Sequence, residues 1–270
     1  MKISLDDFGS ALRWWRTTRR FSQLQLANEA EVSSRHISFL ETGKARPSRE
    51  MVVHLGIVLE LPLRDRNALL YSAGFAPLYP HSDFDAPEMN EVRTVLNAIL
   101  NAHAPYPAIV VDRRGDIVDS NTAGIMMIGA VVAVDSPALA PVPNINRLTF
   151  HPGGIRNRTR NWEDVAANVL QRLEREHSFR PADGLLSELL EEVLGYPDVA
   201  SLQRHPSLPT GGDLVATLHV ETFGGDELEL MNTIGTIGAP YDVTLDELRL
   251  ETFFPMNKTT TAALAAWATQ

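Results

Sequence analysis

Ser22 and Ser33 stand eleven residues apart, each at the head of a short run whose apolar residues return at helical spacing. This pairing constrains the chain more than any other feature. Ser22-Gln23-Leu24-Gln25 reads as a capping box, in which the serine oxygen accepts from the amide three residues on and Gln25 reaches back. Leu26, Ala27 and Ala30 form the inward stripe of that helix. Ser33 caps the next helix, which runs to Glu41 with Ile37 and Leu40 facing in. Thr42-Gly43-Lys44 ends it, because glycine takes the left-handed conformation that stops helices. Phe8, Leu12 and Trp15 lie on one face of an earlier helix. Pro47-Ser48 opens a fourth helix with Val52, Leu55 and Leu59 inward, and residues 65–72, closed by Gly74, give a fifth. The expectation is an all-α domain of five helices over residues 1–78.

Two short helices joined by a three-residue turn, the second capped by serine, form the helix-turn-helix that lays a recognition helix in the major groove of DNA. Ser22-Gln23, Leu26-Ala27, Ala30-Glu31-Val32-Ser33, Ile37-Ser38, Glu41-Thr42-Gly43 and Arg46-Pro47-Ser48 resemble the phage-repressor-like, or xenobiotic-response-element, family over residues 8–74. The resemblance implies a phosphate contact for Gln23 and a DNA-facing edge made by Ser33, Ser34, Arg35 and Ser38. Arg35 is the base reader it favours, since a guanidinium pairs bidentately with guanine O6 and N7. Phe39 either meets a thymine methyl or is partly buried. Thr42, Lys44 and Arg46 fall to phosphates, which fix register without reading sequence; the alternative for the two cations is a solvated loop. The resemblance also implies that Arg16 pairs with Glu41 to orient the recognition helix. Trp14-Trp15 beside Arg13, Arg16, Arg19 and Arg20 would suit nucleic-acid stacking, but Trp15 falls on the core face.

Charge is distributed to match. The net −10 divides into +3 over residues 1–80 (11 Lys/Arg, 8 Asp/Glu) and −13 over residues 81–270 (13 against 26). Only the first segment approaches a polyanion without repulsion. The absence of cysteine excludes disulfides, zinc-thiolate sites and thiol nucleophiles. No apolar run approaches the roughly 18 residues that span a bilayer, and the opening residues lack a signal core. A cytoplasmic protein with no membrane partner is expected. No two of the eight histidines stand four apart, so the helical zinc-hydrolase motif is absent. Gly235-Thr236-Ile237-Gly238 lacks the lysine of a phosphate loop, and no carboxylate pair suggests acid and base roles. The expectation is a non-enzyme without cofactor or metal.

Residues 76–90, rich in proline and aspartate, read as a linker, and a helix follows over 88–102. The expected organisation is 1–78, then a linker and connecting helix over 79–104, then a second domain over 105–270. Beyond residue 105 strand patterns appear at 108–111, 117–118 and 248–254. A hairpin over 214–223 and 227–236 turns at Gly224-Gly225-Asp226. Helices are expected at 121–127, 162–176, 185–194 and 259–268, with a proline-rich loop at 136–144. The sum is an α+β fold. The run from Tyr106 to Asn121 looks like the opening of a PAS-type sensor domain, in which a hairpin and then helices precede the rest of a five-stranded antiparallel sheet. Asn144-Ile145-Asn146-Arg147-Leu148, Phe150-His151-Pro152, Arg156, Asn161-Trp162, Tyr241-Asp242-Val243-Thr244-Leu245 and Glu251-Thr252-Phe253-Phe254-Pro255 are similar to the ligand-binding domain of MmyB-like transcription regulators.

That resemblance covers residues 88–268 and implies a PAS-like pocket for a small apolar ligand, long-chain fatty acids foremost. Ile109, Val111, Met126, Met127, Leu218 and Val220 are its candidate lining, though ordinary core suits each of them better, since Met and β-branched residues fill sheet–helix interfaces anyway. Arg156, Arg158 and Arg160 would suit a carboxylate head, but salt bridges within this acidic domain suit them better. His219 reads as a core or pocket residue. The combined expectation is a homodimeric regulator with double-stranded DNA and a small apolar molecule as partners. The rivals are a rear domain that binds another protein, and an enzyme built on the same sheet.

Overall fold

In the computed structural model, which describes residues 7–179, 183–202 and 217–267, Asp7 opens α1 (Phe8–Thr18) by accepting from the Ser10 amide at 2.9 Å. Both halves of the capping box are present ahead of α2 (Gln23–Glu29), at 3.1 and 2.8 Å. Glu31 turns the chain with φ of 52°, a left-handed position where a side chain costs about 1–2 kcal/mol. Ser33 then caps α3 (Ser34–Glu41) by accepting from His36. Ser48 does the same for α4 (Arg49–Val58), and α5 (Leu63–Ser72) follows. Leu12, Trp15, Leu26, Ile37, Leu40 and Leu55 meet in one buried core. Gly9 lets α1 lie against the end of α3, since a Cβ there would stand 2.7 Å from the Glu41 carbonyl oxygen.

The second fold begins with α6 (Asn90–Ala102), then the hairpin β1 (Ala108–Val111) and β2 (Ile117–Ser120). Asn121 caps α7 (Thr122–Val131) and is 5% exposed. Its Oδ1 accepts from Gly124 and Ala108, and its Nδ2 donates to the carbonyls of Leu100 and Tyr106. One fully satisfied side chain thus ties α6, β1 and α7 together, as buried amides must be. Next come α8 (Ile145–Phe150), α9 (Trp162–Phe179) and α10 (Gly184–Gly195). β3 (Thr217–Glu221), β4 (Glu227–Thr236), α11 (Val243–Glu247), β5 (Arg249–Pro255) and α12 (Lys258–Trp267) complete the chain. The strands form an antiparallel sheet in the order β2-β1-β5-β4-β3. Ile109, Val111, Leu228, Leu230 and Phe253 share a core with Met127 of α7 and Leu264 of α12.

Packing divides the chain differently from composition. One unit holds the chain up to Asp83 together with Gly238–Asp246, and the other holds Phe84–Ile237 with the chain from Glu247 onward. Helix α6 therefore falls within the second unit rather than in a connector, and nine residues between β4 and β5 belong to the first. Inside that first unit Asp246 accepts from the Leu63 amide at 2.9 Å, capping α5, whose own N-cap, Pro62, has no side chain to offer. Val243 donates to the Pro80 carbonyl, and Asp242 and Thr244 bond the backbone of Ser82. The six-residue α8 and the five-residue α11 escaped the sequence reading because each is shorter than two helical turns. Leu214 and Ala268, where that reading began a strand and ended a helix, lie outside the described residues.

Candidate functional site

The solvent edge of the amino-terminal unit is built by α3. Ser33, Ser34, Arg35, Thr42, Lys44 and Arg46 are exposed, while Ser38 and Phe39 are half-buried beside them. The Arg35 guanidinium lies 5.0 Å from the Phe39 ring centroid and the Lys44 ammonium 5.9 Å from it. Phe39 thus holds two cations over an exposed rim, a cation–π arrangement that limits where they range. Among the described residues none of Arg35, Lys44 and Arg46 forms an ion pair. Three cations without anionic partners on one edge are free to meet phosphate or guanine. Ser33 spends its hydroxyl on the cap, and Thr42 donates its own to the Ser38 carbonyl at 2.7 Å.

Beneath that edge the Arg16–Glu41 pair is present. Arg16 Nε and Nη2 donate to the two Glu41 oxygens at 2.5 and 3.1 Å, and Nη1 donates to the Phe21 carbonyl at 2.8 Å. Arg16 is 9% exposed and Glu41 7%. Gln23, given a phosphate by the resemblance, donates its amide to Glu41 at 2.7 Å, and Arg13 stands 3.5 Å from the same carboxylate. Burial pushes the Glu41 pKa up, but the Arg16 and Gln23 hydrogen bonds and the arginine charges outweigh it, so the carboxyl ends below its ordinary value. The network fixes α1, α2 and α3 at one point. Sequence reasoning found Arg16 and Glu41 but not the part Gln23 plays between them.

The second unit contains a cavity of about 220 Å³ between the sheet and α7, α8 and α9. Ile109, Met127, Leu218 and Val220 line it, as the sequence suggested. Val111 lines instead an adjoining recess of about 70 Å³, which also takes in Asp112 and Arg113. Met126 lines neither, because α7 turns Met127, Ile128 and Val131 to the cavity and a neighbour one position back lies about 100° round the helix. Ile145, Leu148, Val165, Val169 and Phe253 were missed as lining residues; the first two lie on α8, the helix the sequence reading lacked. Among the described residues the only charged ones on the wall are Arg172 of α9 and Glu251 of β5, an ion pair at 3.2 Å, with Asn168 and Asn232 among its neutral polar groups.

The remaining candidates lie elsewhere. Arg156 pairs with Asp198 at 2.5 Å, Arg160 pairs with Glu227, and Arg158 sits 3.9 Å over the Phe223 ring. None of the three lines the cavity; Arg156 and Arg160 form salt bridges, and Arg158 instead donates to the Thr222 carbonyl at 3.2 Å. His219 bonds Thr217 Oγ1 at 2.6 Å with its side chain 41% exposed, which places it outside both core and cavity. Trp15 is buried as expected, with Trp14 edge-on to it at 4.5 Å. Among the described residues no cluster of His, Cys, Asp and Glu is arranged to hold a metal, and no helix is long and apolar enough to cross a membrane.

Comparison with known families gives two matches. A helix-turn-helix domain model matches residues 7–69, and the model of the MmyB-like transcription regulator ligand binding domain matches residues 92–266. No curated protein matches the chain.

Proposed function

From the premise that the chain belongs to the MmyB-like transcription regulators, with a helix-turn-helix and a ligand-binding domain, we propose that it is a homodimer whose DNA affinity is set by a small, mostly apolar molecule. The single observation that carries the reading is the 220 Å³ cavity, walled largely by aliphatic side chains and left unfilled by the protein's own core. Well-packed interiors hold few voids larger than a water molecule. The volume is roughly one and a half times the ~150 Å³ that encloses a benzene ring, which corresponds to a chain of about nine carbons. An alkyl chain with one polar end, of which a fatty acid is an example, matches a largely apolar wall that carries one ion pair, Arg172–Glu251. The hairpin-first order of the antiparallel sheet supports a PAS-type fold for this domain.

Arg35 reads a base and Lys44 and Arg46 hold phosphates; Thr42 and Ser34 complete the contact edge. One eight-residue recognition helix reads few base pairs, so two copies on paired half-sites supply specificity. The ligand must favour one of two dimer poses to act at all. The test is native mass spectrometry of the purified chain, followed by operator titration before and after delipidation. A co-purifying molecule whose removal changes the operator affinity supports the reading. A chain that carries nothing, and whose DNA binding ignores added alkyl compounds, ends it.

A further inference from the structure

Glu251 is out of place by ordinary packing rules. It sits on β5, directly opposite Ile109 of β1 on one side and Ile234 of β4 on the other, two residues before Phe253 on the same cavity face. It is 5% exposed. A carboxylate in the middle of an apolar sheet face needs several hydrogen bonds to offset its lost hydration. Among the described residues it has the Arg172 ion pair at 3.2 Å and one long bond from Asn232 Nδ2 at 3.5 Å. Its acceptor capacity is mostly unspent. Arg172, a third exposed at the side chain, makes no other polar contact among the described residues and keeps most of its five donors. Both residues also line the adjoining 70 Å³ recess, together with Asp112, Arg113, Glu176 and Arg249, so the pair stands where the apolar space meets a polar one.

We infer that this end binds an uncharged polar head that both donates and accepts, such as the hydroxyl or primary amide of an alkyl chain, in preference to a carboxylate. The inference rests on the ligand-binding reading above and deepens it. A hydroxyl or amide donates to Glu251 while its oxygen accepts from Arg172 or Asn232, which satisfies the buried groups on both sides. A carboxylate would compete with Glu251 for the Arg172 guanidinium, the arginine on the cavity wall, and place two negative charges together there, where like charges disfavour each other's ionised form.

The test compares decan-1-ol, decanamide and decanoate at pH near 7.5 by displacement of Nile red, a neutral apolar dye, from the full chain. The alcohol and the amide should each bind about tenfold or more tighter than decanoate. Glu251→Gln should close most of that gap, because the incoming carboxylate then has Arg172 to itself. Arg172→Gln, on a partly exposed helix position, should widen the gap and serves if the first variant fails to fold. Decanoate binding as tightly as the neutral compounds to the unaltered chain, or a gap of unchanged size in both variants, overturns the head assignment while leaving the ligand-binding reading intact. Failure of all three compounds to displace the dye overturns both.

Discussion

The exposed edge of α3 and the cavity beneath the sheet are finished to different degrees. Under the edge every strong group is engaged: Glu41 accepts from Arg16 and Gln23, Arg16 also donates to the Phe21 carbonyl, and Leu26, Ile37 and Leu40 are buried around them. Around the cavity the packing stops short, and a buried carboxylate keeps unspent acceptors. A surface that must present side chains in fixed register gains from a rigid foundation. A pocket that must respond to an outside molecule gains from being incomplete without it. The two regions divide those requirements between them.

The comparison breaks first, and most visibly, at Arg16. Arg16→Ala strands the Glu41 charge and should cost the amino-terminal unit about 3–5 kcal/mol in urea unfolding; a loss below about 1 kcal/mol would mean that the foundation is not rigid in this sense. Matched enlargements sharpen the contrast. Leu40→Phe crowds a filled core and should cost about 1–3 kcal/mol, whereas Val131→Phe enters the cavity, should cost less than about 1 kcal/mol and should abolish alkyl-ligand binding. Equal costs would show the cavity to be closed in solution. Arg35→Ala should lower specific operator binding by about 1–3 kcal/mol and relax preference at one base pair, read by competition against operator variants. The pH effect comes next. Glu41 has its pKa lowered in the folded state, so its contribution is present above the unfolded value of 4.5 and is lost as pH falls through the folded value. Urea midpoints of the amino-terminal unit should therefore fall below about pH 4.5, less steeply in Glu41→Gln. Lys44→Ala is the smallest change: weaker binding to all sequences and a salt-dependence slope reduced by about one, with an unchanged slope returning Lys44 to the solvated loop.

The amino-terminal half was legible because its signals are local. Ser22, Ser33 and Ser48 each cap the helix the spacing assigned to them, and the apolar periodicity named the core. The turn at Glu31 carries no glycine, so its left-handed backbone left no mark in composition. The cavity was half legible. Ile109, Met127, Leu218 and Val220 were named as candidates for the pocket the resemblance implied, but Arg172 and Glu251 meet only after the chain has folded across 79 residues. Glu251 alternates with Phe253 on one face and Leu250 falls on the other, so the sequence left open which face turned inward. The Gly238–Asp246 segment was read within the second domain, because nothing local distinguishes a strand connection from an arm that belongs elsewhere.

That arm has a practical consequence for anyone dividing the molecule. A single cut after Asp83 removes the aspartate that caps α5 and the residues that bond Pro80 and Ser82. The severed piece would be a frayed version of itself, weaker at its fifth helix than the same residues in the intact chain. Along the covalent backbone, Ile234 on the cavity wall lies only four residues before the arm begins and Glu251 only five after it ends.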